Sequence, residues 1–428
     1  MKPQNILLSL LALLGTFFVV AGCAFSGANG PAENPPPSST VPPPKPVLFK
    51  VSEGLVLINN QLALDLYHSL QPTDNVFFSP YSLTRSFAML YPGARGETAQ
   101  ALDEYFGFNG LGATLPQEMQ NLDATLMSRT FEKDGPNAFP QLTFAQALWI
   151  QDGMALHPDY QELLQTYFGV PVSFADFAQQ PEQAREAIQQ WVSEQSAGLL
   201  QNPLPAEMVK ADTKMLLANA VYFNSAWRFP FDKEIEGKFH SLEGTVQPTQ
   251  MITKLGGVQY ARGENFQAIE LPYSNRQLAM MIIVPDEGAF ETVENQLTLS
   301  LIQEISATFK VHSMNLTLPI FQFQADLPLK NLLIDKGLDI LFDPARADFS
   351  GITSSMPLVL DEIFHATSVR VDASGTEAAG ITLFVGIEVE GPLPAEFDLL
   401  IDRPFIFLIR DLPTETILFA GRVVNPTP

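Results

Sequence analysis

From about Leu48 to Pro428 the chain intermixes helical and strand signals without a second linker, a low-complexity tract or an internal repeat. That continuity confines the body to one domain, and the mixture of periods points to an α+β fold. Asn59 to Leu70, with Leu62, Leu64 and Leu66, predicts a helix. Pro181 to Ser196 predicts a second helix opened by its proline, and the apolar run Leu278 to Val284 predicts a buried strand. Apolar residues make up 46% of the sequence and include 32 Phe, so there is enough material for a large core.

The first 47 residues differ in kind from the rest. Met1 and Lys2 give a short basic start and Ile6 to Val20 an apolar run of signal-peptide length; Ala21, Gly22 and Cys23 follow at once. A small-residue pair before cysteine is similar to the bacterial lipobox. There the thiol is acylated and the signal, here residues 1–22, is cut before it. Residues 23–47 are then expected to be the lipidated Cys23 and a spacer, which leaves 48–428 as the folded domain. Pro31 to Pro46 holds eight prolines in sixteen residues. This composition favours extended polyproline II, spanning about 50 Å at about 3.1 Å per residue. The expected location is the cell surface or the periplasmic side of a bacterial membrane. Ala24 stands in place of the aspartate that often retains lipoproteins in an inner membrane, which favours the outer membrane if the organism has one and leaves inner versus outer open.

Cys23 is the only cysteine, which excludes an internal disulfide, a cysteine-based metal site and a cysteine nucleophile in the core. The formal charge of −23, from 24 basic and 47 acidic residues, excludes nucleic acid as a partner because no lysine and arginine stripe offsets the repulsion from phosphates. Two readings of the acidity stand: a solvated surface that keeps the protein soluble, or a field that speeds capture of a cationic partner.

Asn75 to Gln100 reads NVFFSPYSLTRSFAMLYPGARGETAQ. WVSEQSAGLL follows from Trp191, LANAVYFNSAWRFPF from Leu217, ADFSGI from Ala347, RPFIFLIRD from Arg403 and ILFAGRVVNP from Ile417. In order and spacing these fragments resemble the serpin family, and they cover nearly the whole domain. The resemblance implies a serpin fold: a single domain with a large, mainly antiparallel central sheet, further sheets, surrounding helices and an exposed reactive-centre loop. It also implies a single-use inhibitor that traps a serine or cysteine protease in a 1:1 covalent complex, acting as a monomer without cofactor or metal. A non-inhibitory serpin, acting as a surface binding or scaffold protein, is the second reading. An enzyme is the third, and the chain lacks Gly-x-Ser-x-Gly, His-Glu-x-x-His and a glycine-rich phosphate loop to support it. Between Gly110 and Gly135 only Arg129 and Lys133 are cationic, so activation by a sulfated polysaccharide is not expected.

The segment from Val371 to Phe405 is similar to the serpin hinge and reactive loop, with Gly375, Thr376, Glu377, Ala378, Ala379 and Gly380 as hinge. In an extended strand Thr376, Ala378, Gly380 and Thr382 share one face, and Glu377, Ala379, Ile381 and Leu383 the other. The first set is small and uncharged, as a loop sliding between two strands requires: a bulky inward group overpacks, and an inward charge costs several kcal/mol in desolvation. The alternative is an ordinary flexible connection. Counting about fourteen residues from Gly375, the family distance, places the bait bond at Val389 and Glu390. A backward count from Pro404 falls near Leu393, before Pro394, where the fixed φ of proline makes a poor substrate. Val389 suits an elastase-like or subtilisin-like pocket; Glu388 and Glu390 keep a glutamate-specific target open, and Ile387 or Leu393 another frame.

The resemblance places Ser79, Ser82, Asn219 and His365 in a polar cluster beneath the sheet where strands part, and Trp227 at the top where insertion starts. His365 is expected to be a hydrogen-bonded core histidine. Ala373 departs from the family, which has glutamate there, and a salt bridge is expected to be missing.

Overall fold

The computed structural model describes residues 50–70, 73–130, 141–170, 172–196, 198, 200, 204–327, 329–376 and 394–426. The unit that contains them is Val47–Pro428. The early strands are β1 (Val76–Phe78), β2 (Gln141–Gln151), β3 (Val172–Ala175), β4 (Met215–Ala226) and β5 (Lys233–His240). Then come β6 (Val246–Gly263), β7 (Phe266–Pro272), β8 (Leu278–Pro285), β9 (Lys310–Pro319) and β10 (Phe321–Asp326). The last are β11 (Glu362–Val371), β12 (Gly375–Thr376), β13 (Phe397–Leu400), β14 (Phe405–Asp411) and β15 (Thr416–Val423). The two helices that matter most below are α1 (Glu53–Ser69) and α2 (Pro80–Leu90).

Two sheets result. One runs β1-β15-β14-β8-β7-β6-β9-β13, with β5 paired to β6; the other runs β10-β11-β12-β4-β2-β3. All eight residues of β8, all seven of β14 and all eight of β15 are buried, the signature of strands covered on both faces. The expected strand at 278–284 is therefore β8, one residue longer.

Helix α1 starts six residues before the predicted Asn59 because Ser52 caps it, its Oγ accepting from the Leu55 N–H at 3.4 Å. Helix α2 is capped by Ser79, with Pro80 in the first turn where its missing N–H costs nothing. Every residue of α2 is buried, including Ser82, Thr84, Arg85 and Ser86. A helix buried all round must satisfy its polar side chains inside the protein, and those partners define the site described next. The helix opened by Pro181 runs to Gln195, as its spacing predicts.

Candidate functional site

The six-stranded sheet has one seam, between β11 and β4, along which the pairing changes. Strands β11 and β4 pair directly, in parallel, only over Glu362–Ala366 against Leu216–Ala220. Further along, β12 lies between them and antiparallel to both, with Val371 opposite Thr376, Gly375 opposite Ala226 and Thr376 opposite Ser225. Between these two zones no described residue pairs across the seam with 221–224 of β4 or 367–370 of β11.

A tight turn delivers β12 into the seam. The Asp372 carboxylate accepts from the Ser374 N–H at 2.8 Å and the Gly375 N–H at 3.3 Å, and the Asp372 N–H donates to the Gly375 carbonyl at 3.0 Å. Trp227 holds that turn from outside: its backbone N–H donates to Ser374 O at 2.9 Å and its indole Nε1–H to Asp372 O at 3.0 Å. The indole stacks on Tyr273 with centroids 4.8 Å apart, and the Tyr273 hydroxyl meets Thr376 Oγ1 at 2.7 Å. Thr376 is 1% exposed, so the first loop residue of the small set does face inward. The Ala373 carbonyl accepts from the Phe231 N–H at 2.9 Å, and Asp372 pairs with Arg370 at 3.3 Å. The Arg370 side chain is half exposed, so that pair adds little.

Space at Gly375 is tight. A Cβ there would stand 2.1 Å from Ser225 O and 2.8 Å from Ala226 Cα, so the close approach to β4 requires glycine.

At the other end of the seam, where β11 and β4 pair, Ser79, Ser82, Asn219 and His365 come together, all 0% exposed. His365 stands opposite Asn219 in register. The Ser79 N–H donates to His365 Nε2 at 3.1 Å, Ser82 Oγ–H to Asn219 Oδ1 at 3.3 Å, and the Asn219 amide to Phe364 O at 3.4 Å. Three members of the network carry no strong signal in the sequence. Ser86 also donates to Asn219 Oδ1, Gln146 Nε2–H donates to Ser82 Oγ at 2.9 Å, and Arg85 reaches the Gln146 amide oxygen while pairing with Asp123 at 2.8 Å. What signal exists is a serine four residues after Ser82 on one helix and a lone glutamine inside the strand FAQALWI. His365 acts as a core residue: burial pushes its imidazole down to about 3, so it is neutral, and its Nδ1 has no hydrogen-bond partner among the described residues.

The cluster and the Trp227 turn are separate sites on one seam. Asn219 and Ala226 stand seven positions apart along β4, about 23 Å at about 3.3 Å per residue. The remaining predicted positions, Glu377, Ala378, Ala379, Gly380, Val389, Glu390 and Cys23, lie outside the described residues.

A two-sheet α+β body with a seam held shut by a buried polar cluster at one end and by an aromatic-clamped strand at the other defines the class. The family model for serpins, serine protease inhibitors, matches residues 57–426. An uncharacterized serpin-like protein of Thermococcus kodakarensis is 32% identical over 421 residues, covering 94% of this chain and 96% of its own. The leukocyte elastase inhibitor A of Rattus norvegicus is 31% identical over 388 residues, covering 87% and 100%. Among solved structures, thyroxine-binding globulin in complex with thyroxine superposes with a TM-score of 0.76 at 26% identity, and uncleaved ovalbumin with 0.78 at 23%; each match covers 87% of this chain and 100% of that one. The second of these speaks for the fold alone. The chain belongs to the serpin family.

Proposed function

We propose that this chain is an inhibitory serpin that traps a serine protease, elastase-like or subtilisin-like, or a cysteine protease, by inserting its cleaved loop into the β11–β4 seam. The observation that carries the reading is the seat of Gly375 and Thr376 above a stretch of the seam that no described residue pairs across. Continuing their register places Glu377 opposite Asn224 and Arg370, and Gly380 opposite Val221 and Thr367. Residues 377–380 thus match that stretch in length. Ile381 and Thr382 would then reach the levels of Ala220 and Asn219, where the parallel pairing and the bond from Asn219 to Phe364 O must break. Alternation from the buried Thr376 turns Ala378, Gly380 and Thr382 inward. Insertion replaces one parallel ladder by two antiparallel ones, and each added backbone hydrogen bond contributes about 1 kcal/mol.

In this reading a protease attacks the bond between Val389 and Glu390 and forms an acyl-enzyme. The freed loop then zips into the seam, carrying the protease with it before water hydrolyses the ester. Cys23 is the acylated anchor, and the proline-rich spacer holds the inhibitor away from the bacterial membrane, which suits a bulky target.

The test is to incubate the full chain with an elastase-like protease, run a denaturing gel and identify the released peptide by mass spectrometry. A band of summed mass that survives denaturant, with a peptide beginning at Glu390, is the expected result. Cleavage without that band, for elastase-like, subtilisin-like and papain-like proteases alike, would transfer the chain to the non-inhibitory reading.

A further inference from the structure

Beside the Trp227 turn, on the other sheet, lies an open cleft of about 690 Å³ formed by the loop after β4, the middle of β6, the ends of β7 and the edge residue Val311 of β9. Three cations line it, Arg228, Lys254 and Arg276, the two arginines close enough to repel each other. In a chain of net charge −23 this concentration is unusual. The carboxylates on the wall offset it only in part, Asp232 by a weak pull on Lys254. Glu270 is held by Arg410 at 2.6 Å, and Asp232, the other, accepts from the Leu255 N–H at 3.1 Å. Neither Arg228 nor Arg276 forms an ion pair among the described residues; the Arg228 guanidinium lies 4.9 Å from the Phe229 ring centroid instead. Burial, and then its neighbour Arg276, lowers the proton affinity of Arg228.

Lys254 is the most telling of the three. It is 8% exposed, and among the described residues its ammonium has only the Phe229 carbonyl at 3.3 Å and the face of Phe231 at 4.8 Å. Burial pushes it down to about 8, against a smaller opposing pull from Asp232. A buried cation without an ion-paired carboxylate is a cost that a bound anion removes.

The rest of the wall is apolar and shaped. Phe229 and Val311 are 54% and 66% exposed at the rim, with Pro230, Leu255 and Val258 beside them. Gly256 and Gly257 interrupt the interior of the 18-residue strand β6, and a Cβ at Gly256 would meet nothing within 4 Å. Glycine inside a strand weakens it and marks the close approach of another group. The Gln259 amide oxygen is buried there without a partner among the described residues.

We propose that this cleft is a binding site for a small amphipathic anion: a carboxylate, held by Lys254, Arg228 and Arg276, on an apolar body of one or two rings lying over Gly256 between Phe229 and Val311.

The experiment is isothermal titration calorimetry of the full chain with phenylbutyrate, and with phenylbutanol as its neutral counterpart. Saturable one-site binding of phenylbutyrate, with phenylbutanol about tenfold weaker, is expected. Arg276 is exposed and at φ +59°, so Arg276→Asn, which tolerates that conformation, keeps the fold and is expected to weaken phenylbutyrate about threefold while leaving phenylbutanol unchanged. Gly256→Leu is expected to abolish binding of both. Absence of saturable binding, or equal affinity for the two compounds, would overturn the proposal. So would indifference to both substitutions.

Discussion

The Ser79 N–H donates to Nε2 of His365 at 3.1 Å, tying the N-terminus of α2 to β11 where that strand still pairs with β4. The bond assigns the imidazole proton to Nδ1, which is buried without a partner among the described residues. An orphaned buried donor costs about 1–3 kcal/mol. The closed seam therefore carries an unsatisfied donor at the place that the proposed insertion would open.

Acid should act on this bond. His365 has an ordinary value of 6.5 and is pushed down to about 3 by burial, so between those values the unfolded chain takes up a proton that the folded chain refuses. The contribution of the neutral imidazole is complete above pH 6.5 and is lost as pH falls toward 3. His365→Gln, which keeps an acceptor for Ser79, is expected to flatten the pH dependence of the urea midpoint across that window, by a few kcal/mol at its acid end. Equal slopes for the variant and the parent would assign acid unfolding to carboxylates alone.

The inward and outward faces of the hinge can be separated by charge. Thr376→Arg and Ala378→Arg should convert an inhibitor into a substrate, since each buries a guanidinium early in insertion at a cost of several kcal/mol. Ala379→Arg, on the opposite face, should leave the stoichiometry of inhibition near that of the parent. The measurement is titration of protease activity, and three identical stoichiometries would contradict the alternation.

Gly375→Val tests the seat itself. Its Cβ would collide with the β4 backbone at Ser225 and Ala226, which cannot give way as a flexible side chain can. Expulsion of β12 should free its amides and the Val371 ladder, read as faster hydrogen exchange at residues 371–376 with the rest of the sheet unchanged. Unaltered exchange would mean that β4 shifts to accommodate the side chain.

Removing the amide that Ser82 and Ser86 share should loosen the closed end. Asn219→Ala leaves Ser82 Oγ without that acceptor and frees Phe364 O, while Ser86 Oγ keeps the Ser82 carbonyl at 2.9 Å, a loss of about 1–2 kcal/mol of stability read from the urea midpoint. Because the same bonds must break during insertion, the variant should also convert faster, on mild heating, to a form that no longer inhibits.

A buried ion pair anchors the turn between β7 and β8. Arg129, 6% exposed at its side chain, donates from Nε to Asp411 at 2.6 Å and from Nη2 at 3.2 Å, and Asp411 also accepts from the Thr414 N–H at 3.1 Å. Arg129→Met should cost about 3–5 kcal/mol by stranding that carboxylate, with Asp411→Asn milder because the turn bond survives. Thermal or urea denaturation of the two variants decides the order.

The features legible in the amino-acid order are of two kinds. The Ser79-Pro80 start of α2, the Pro181 helix and the apolar run of β8 are local: cap, proline and burial pattern each lie within a few residues of the element they specify. The roles of Ser79, Ser82, Asn219, His365 and Trp227 follow from motif resemblance, and the small, uncharged alternation of the hinge follows from the period of an extended strand. The start of α1 is not legible in this way, because a single serine cap is a weak signal beside the leucines that follow it. Only the tertiary structure decided that Gln146 and Ser86 complete the buried cluster, that Gly375 and Thr376 occupy the seam, and that three cations line a glycine-floored cleft. The physical reason is distance along the chain. Ser82 meets Asn219 across 137 residues and Ser79 meets His365 across 286, and no periodicity within a segment records which strand will lie beside which. The sequence alone determined the class of fold and the chemistry available at each position; the pairing of β12 between β4 and β11 determined where that chemistry meets.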